Sequence, residues 1–219
     1  MPSSVASTTK RERRKQARPG ELLAAALSLF VEKGYAATRV DEVAARAGVS
    51  KGTLFLYFAS KEELFKAVVR ESIGGRLDEW KQIPDSFEGS SVELLQRMGR
   101  VWWERIGMTQ ASGITKLVLS EAGAFPEMAA FYRKEVIEPG HDILRRVLKR
   151  GIDRGEFRPL DIESVIHSLI APMIYLSLSR HCASTCEEGL MGLDPLTYLD
   201  TQIELILHGL VRVTASSPA

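Results

Sequence analysis

TRVDEVAARAGVSKGTLFLYFASKEELF, residues 38–65, is the stretch whose reading decides the fold. Thr38 has the hydroxyl of a helix cap, Asp41 stands three residues on as a capping-box acid, and Val40, Val43, Ala44 and Ala47 repeat at helical spacing. Gly48 follows the last periodic residue, where a left-handed residue ends a helix, and Ser50 can cap the next one. The spacing therefore predicts two short helices joined by a turn at about 48–50, a helix-turn-helix over about 39–58. Ser60 with Glu63 forms a further capping box, so a third helix is expected from Lys61.

The second of these helices, Lys51 to about Phe58, carries side chains suited to a duplex. Lys51 offers charge, Gly52 allows close backbone approach, and Thr53 and Tyr57 offer hydroxyls to phosphates or base edges. Leu54 and Phe58, one turn apart, point inward, which leaves Phe55 and Leu56 outside. Apolar groups there are costly in water but suit thymine methyls in a major groove. The competing reading is an ordinary packed helical hairpin with a solvated lysine. An ammonium at Lys61 would oppose the helix dipole unless an anion such as phosphate lay nearby.

From Glu21 to Leu64 these residues resemble the tetracycline-repressor-like (TetR/AcrR) transcriptional regulators. The resemblance is carried by LLAAALSLFVEKGYAATRV at 22–40 and DEVAARAGVSKGTLFLYFASKEELF at 41–65. It implies DNA contacts from Thr38 and Arg39, from Lys51, Gly52, Thr53, Phe55, Leu56 and Tyr57, and from Lys61. Arg39 stands where that family usually has Thr or Ser, and Phe55 where it usually has Tyr, which removes one hydroxyl-to-phosphate contact.

Upstream, Pro19 is expected in a first helical turn, Leu23, Ala26, Leu27 and Phe30 form an apolar stripe, and Gly34 with Tyr35 reads as a terminating glycine and its hydrophobic follower. Residues 10–18, KRERRKQAR, hold six basic residues against one acid and no apolar anchor, so disorder is expected there. The run reads either as an arm adding phosphate or minor-groove contacts or as a solvated tail. The expected division is a basic arm at 1–17, a DNA-binding domain at 18–76 and a ligand-binding and dimerisation domain at 77–219.

Charge supports that division. Residues 10–75 hold 13 Lys and Arg against 8 Asp and Glu, a surplus of +5 in a chain whose total is +1, so the remainder carries −4. No signal peptide is read, and the most apolar stretch, 165–179, falls short of the ~20 residues of a membrane span, so a cytoplasmic protein with no membrane partner is expected. Cys182 and Cys186 are too few for a disulfide framework, and HCASTC at 181–186 lacks the ligands of a complete metal site. His141, His167 and His208 stand alone in the sequence, without a nucleophilic triad. No cofactor, metal or catalytic residue is expected.

Beyond Glu71 the pattern stays helical, weakened at Gly74 and Gly75. A loop is read at 84–91 and helices near 91–107, 111–122, 126–137, 139–154, 161–180 and 195–213, with a break at Pro139. The whole is all-α, about nine to ten helices. Segment 117–159 resembles the body of some members of the same family, more loosely than the N-terminus does. Trp102, Trp103, Phe125, Phe131, Tyr132, Met173 and Tyr175 read as core packing or as the lining of a pocket for an apolar or amphipathic effector, which the resemblance places among these helices. Two apolar stripes, Val165, Leu169, Met173 and Leu176, then Leu199, Ile203, Ile206 and Leu210, lie where the family pairs subunits into a homodimer. The resemblance implies a dimeric, effector-released repressor of a palindromic double-stranded DNA operator. Helix 61–73 would act as coupler, with Phe65, Val68 and Val69 directed toward the body. A transcriptional activator, a helical enzyme or a thiol sensor fused to the same module are the alternatives.

Overall fold

The computed structural model describes residues 10–181 and 193–210, without the side chains of 10–18 and 210. Every regular element among them is helical, as the patterning requires. Packing divides the chain into two units between Val68 and Val69, ahead of the boundary expected after Arg76.

The first unit contains α1 (Lys10–Lys33), α2 (Val40–Arg46), α3 (Lys51–Phe55) and the start of α4 (Lys61–Val69). The basic run expected to be disordered is helical backbone continuous with α1, and Pro19 sits inside that helix instead of in its first turn. Gly34 ends α1 at φ +88° and turns the chain so that Tyr35 packs inward. Phe30, Tyr35 and Phe65 then form a three-ring cluster, with centroids 5.5–5.8 Å apart and the Phe65 ring edge-on to the other two. Such pairs add about 0.5–1.5 kcal/mol each beyond the area they bury. Phe65 thus faces the core of its own unit, not the body as expected.

Local chemistry sets the turns. Gly48 adopts φ +66°, a region that costs an L side chain about 1–2 kcal/mol. Ser50 caps α3 by accepting the Thr53 N–H at 3.1 Å, and Ser60 accepts the Glu63 N–H at 3.1 Å. The α2 cap differs from expectation. Arg39 is the N-cap residue, and its N–H is taken at 3.4 Å by Glu42, not by Asp41. Thr38 is pulled inside, where its hydroxyl serves α1.

The second unit begins with α4's final residue and runs through a π turn at Arg70–Gly74 into α5 (Gly75–Trp80). Then come α6 (Ile83–Ser86), α7 (Ser91–Trp102) with a π turn at Trp103–Gly107, and α8 (Ser112–Glu121). α9 (Pro126–Tyr132) passes through a π turn at Arg133–Ile137 into α10 (Glu138–Asp153), and α11 (Ile162–His181) and α12 (Pro195–Leu210) complete the unit. The expected break at Pro139 is absent. Proline lacks an N–H and its ring crowds the carbonyl four residues back, here Glu135. The wide turn at 133–137 contains that residue and absorbs the conflict without ending the helix.

The core of this unit brings together Leu94 and Leu95 of α7, Val147 and Leu148 of α10, Ile166 of α11 and Ile203 and Leu207 of α12. Helix α10 comes close to the segment after it because position 151 is glycine: a Cβ there would lie 2.2 Å from the Phe157 ring. Leu169 and Leu176 are buried, as are Leu199 and Ile203, so the stripes expected to pair subunits are largely internal. Leu210's side chain lies outside the described set. The outward faces carry Ser164, Ser168, Ala171 and Tyr175 on α11, and Thr197, Thr201, Leu205 and His208 on α12. At 20 residues α11 is also longer than the apolar stretch read from sequence, and it is long and apolar enough to cross a bilayer. Its packing is against α8, α10 and α12.

Candidate nucleic-acid interface and ligand cavity

α3 is short, and its single fully buried side chain, Leu54, plugs it into the first unit. Lys51, Gly52 and Phe55 are presented outward. Leu56, its C-cap, is 84% exposed and Phe55 is 43% exposed. Lys51 and Gly52 are exposed, and the Lys51 ammonium lies 6.0 Å from the Phe55 ring. Thr53 and Tyr57 are half-buried, and the Thr53 hydroxyl is 2.9 Å from that of Ser50. A five-residue helix ending in a bare leucine, beside a lysine and an unprotected glycine backbone, is a surface shaped for a groove.

Three flanking residues behave differently from expectation. Thr38 is 1% exposed, and its hydroxyl donates to the carbonyls of Gly34 at 2.7 Å and Leu29 at 3.2 Å, so its side chain cannot meet a phosphate. The Lys61 ammonium donates to the carbonyls of Tyr35 at 2.9 Å, Thr38 at 3.1 Å and Ala36 at 3.3 Å, and lies 4.5 Å from the Tyr35 ring centroid. An ammonium has three donors, and all are directed at that turn. The anion invoked for Lys61 is replaced by carbonyl dipoles. Arg39 is exposed, as a phosphate contact requires, but its guanidinium forks onto Asp41 through two bonds of 3.2 Å, which raises its own pKa and holds the Asp41 carboxyl below its usual range.

Within the second unit lies a cavity of about 350 Å³ enclosed by α5, α7, α8, α10, α11 and α12. That volume is at the lower end of small-molecule sites. Its wall is apolar except for Thr115, Tyr132, His141, His167, Ser177, Gln202 and the indoles of Trp80 and Trp102, and no Asp, Glu, Lys or Arg lines it. Two hydroxyls are mutually satisfied: Thr115 Oγ1 is 3.2 Å from the Tyr132 phenol, whose pKa burial pushes up. Ser177 donates to the Met173 carbonyl at 2.8 Å. Leu119 and Ile137 line the cavity and are exposed, so it reaches solvent.

All three π turns contribute to this wall: Ile73 from the first, Ile106 from the second, Val136 and Ile137 from the third. A π turn pushes one residue out of helical register, and such turns recur at functional sites. None was legible in the sequence.

Of the expected lining, Trp102, Tyr132 and Met173 are on the wall. Trp103 packs instead against Leu176 and Leu199, Phe131 lies under the Arg70 guanidinium at 5.0 Å, Phe125 precedes α9, and Tyr175 is exposed beside Tyr198. Those four are corrected to packing or surface positions. The histidines need correction too. His141 and His167 are not solitary but stand edge to face at 5.3 Å, both on the cavity wall. Residues 26 apart on two helices share no local pattern, so only the packing of α10 on α11 discloses the pair. His181 bonds Ser112 Oγ at 2.8 Å, whereas Cys182 and Cys186 fall outside the described residues.

Residues 22–68 match the family model "Bacterial regulatory proteins, tetR family", and residues 84–186 match "Tetracyclin repressor-like, C-terminal domain". The chain is 31% identical over 156 residues to the HTH-type transcriptional regulator YdeS of Bacillus subtilis, covering 70% of this chain and 75% of that one. It is 33% identical over 153 residues to the HTH-type transcriptional repressor KstR2 of Mycobacterium tuberculosis, covering 68% and 74%. The structure of the fatty acid degradation regulator FadR from Bacillus halodurans superposes with a TM-score of 0.72 at 21% identity, over 87% of this chain and 98% of that one, a likeness of fold.

Proposed function

This chain belongs to the TetR family of bacterial regulatory proteins and is a ligand-responsive transcriptional regulator, and we propose that it represses by holding a palindromic operator as a two-fold dimer until an apolar or amphipathic effector occupies its cavity. The observation that carries the DNA-reading surface is Leu56, 84% exposed at the end of α3. In water that side chain is a liability, and against thymine methyls it becomes a contact. Lys51, Gly52, Thr53, Phe55 and Tyr57 are its neighbours in the chain, and the exposed Arg39 is assigned to the same surface. Thr38 and Lys61 instead fix the turn from which α2 departs.

The dimer reading rests on the outward faces of α11 and α12. Small residues Ser164, Ser168 and Ala171 permit close helix approach, and Tyr175, Leu196 and Leu205 expose apolar area that a second copy would cover. Two-fold symmetry would set two copies of α3 about 34 Å apart, one turn of DNA. Residues from Val69 onward are thus assigned ligand binding and dimerisation, and the working location is the cytoplasm, beside the chromosome.

Repression is the sign carried by the KstR2 relative. The effector works by preferring one arrangement of the cavity wall, and its leverage is the difference in its affinity for two states, typically about 1–3 kcal/mol. Selection of duplexes from a random pool by the purified protein tests this reading. Enrichment of a palindrome with half-sites about one helical turn apart, bound by two chains, is expected. A selected pool with no shared sequence overturns it.

A further inference from the structure

We propose that His141 and His167 form an anion-binding end to the cavity, so that the effector is an amphipathic organic acid whose carboxylate sits at the two imidazoles and whose hydrocarbon portion fills the apolar remainder. The inference deepens the effector reading above and rests on it.

The wall carries no Asp, Glu, Lys or Arg, so an anion entering the cavity can be neutralised only by the imidazoles. Their rings meet edge to face at 5.3 Å, and among the described residues no hydrogen bond to a protein group engages their nitrogens. The other polar groups of the wall are differently placed: Thr115 and Tyr132 bond each other, and Ser177 bonds the Met173 carbonyl. Gln202 and the indoles of Trp80 and Trp102 are left as neutral donors on the wall. His167 is exposed and His141 half-buried, so the pair, on the apolar wall, is also reached by solvent. That combination is the one an amphipathic molecule needs.

The charged neighbours explain why the task falls to the imidazoles. Arg145, one turn beyond His141 on α10, is held by Glu163 through bonds of 2.7 and 3.0 Å and also by Asp142. Glu163 lies one turn before His167 on α11. The groups acting on His141 are therefore His167 and Arg145, which disfavour its proton, and Glu163 and Asp142, which favour it; burial prevails and its pKa is lowered. The proton on His141 is thus disfavoured in the empty site. An arriving carboxylate reverses the balance, and each imidazole that takes a proton from solvent gains a charge-assisted hydrogen bond to it.

Calorimetric titration of the full chain with decanoate and with decan-1-ol, below their aggregation concentrations, tests this. Decanoate should bind about tenfold more tightly at about pH 6 than at about pH 8, with proton uptake seen as a dependence on buffer ionisation heat, because the acid itself stays ionised across that range. Decan-1-ol should bind with no such dependence. His141→Asn and His167→Asn should each reduce the pH response of decanoate, and continued binding of decan-1-ol shows that the cavity has survived substitution. Equal pH-independent binding of both probes would overturn the anion site while leaving the apolar cavity reading intact. Binding of neither would overturn both.

Discussion

Arg70 and Glu135 meet side by side, the guanidinium Nε and Nη2 lying 3.2 and 3.0 Å from the two oxygens of the carboxylate. Each belongs to a π turn, and those turns also supply Ile73, Val136 and Ile137 to the cavity wall. The pair ties two parts of the wall to each other. The same helical backbone that carries Arg70 begins at Lys61, in the unit that bears α3.

The pair is partly exposed, with side-chain accessibilities of 54% and 27%, so its value to stability is at most about 1 kcal/mol after screening by solvent. Arg70 holds the Glu135 carboxyl below its ordinary 4.5. A depressed folded pKa contributes stability above the unfolded value and loses it as pH falls through the folded one. Glu135→Gln should therefore lower stability slightly at about pH 7 and have no effect in acid below the folded pKa. Urea titrations at both conditions check this, and an equal loss in acid would contradict it.

Thr38→Val keeps the shape of a buried side chain and removes a hydroxyl that serves two carbonyls. A loss of about 1–2 kcal/mol is expected in urea unfolding. A change below a few tenths would show that those carbonyls do not depend on it.

Lys61→Met retains the hydrocarbon stem and deletes the ammonium that three carbonyls share. The substitution should destabilise the protein while leaving the slope of log affinity against log salt for DNA unchanged. A slope smaller by about one would instead place that ammonium on a phosphate.

Leu56→Ala removes a side chain that packs on almost nothing, so stability should stay within about 0.5 kcal/mol of the parent. Affinity for the selected operator should fall by about 1 kcal/mol or more, with competitor DNA bound as before. Operator titration with competitor measures both, and unchanged operator affinity would remove Leu56 from the interface.

What was legible in the sequence was local. Gly48, Ser50 and Ser60 act within a few residues of their partners, and each takes the position its chemistry predicts, whereas the Glu63 carboxylate pairs with Lys66 instead of closing the capping box. Features set by distant segments were misread. Thr38 has the hydroxyl of a cap, but the carbonyls of Leu29 and Gly34 compete for it and win. Pro139 should end a helix, and a wide turn ahead of it relieves the clash. The stripes on α11 and α12 were correct as apolar faces but face their own core, because Leu94, Val147 and Leu148 lie there to receive them. The histidine pair had no signal at all, since its members meet only once two helices pack.

The central claim is that the surface around Leu56 reads duplex DNA as one half of a symmetric pair. Fluorescence anisotropy of a labelled selected palindrome, titrated with the purified chain at moderate salt and with excess random duplex, measures it directly. Saturation at two chains per duplex, resistant to competitor and abolished when one half-site is scrambled, is the predicted result. Displacement by an equal weight of random duplex would contradict the account.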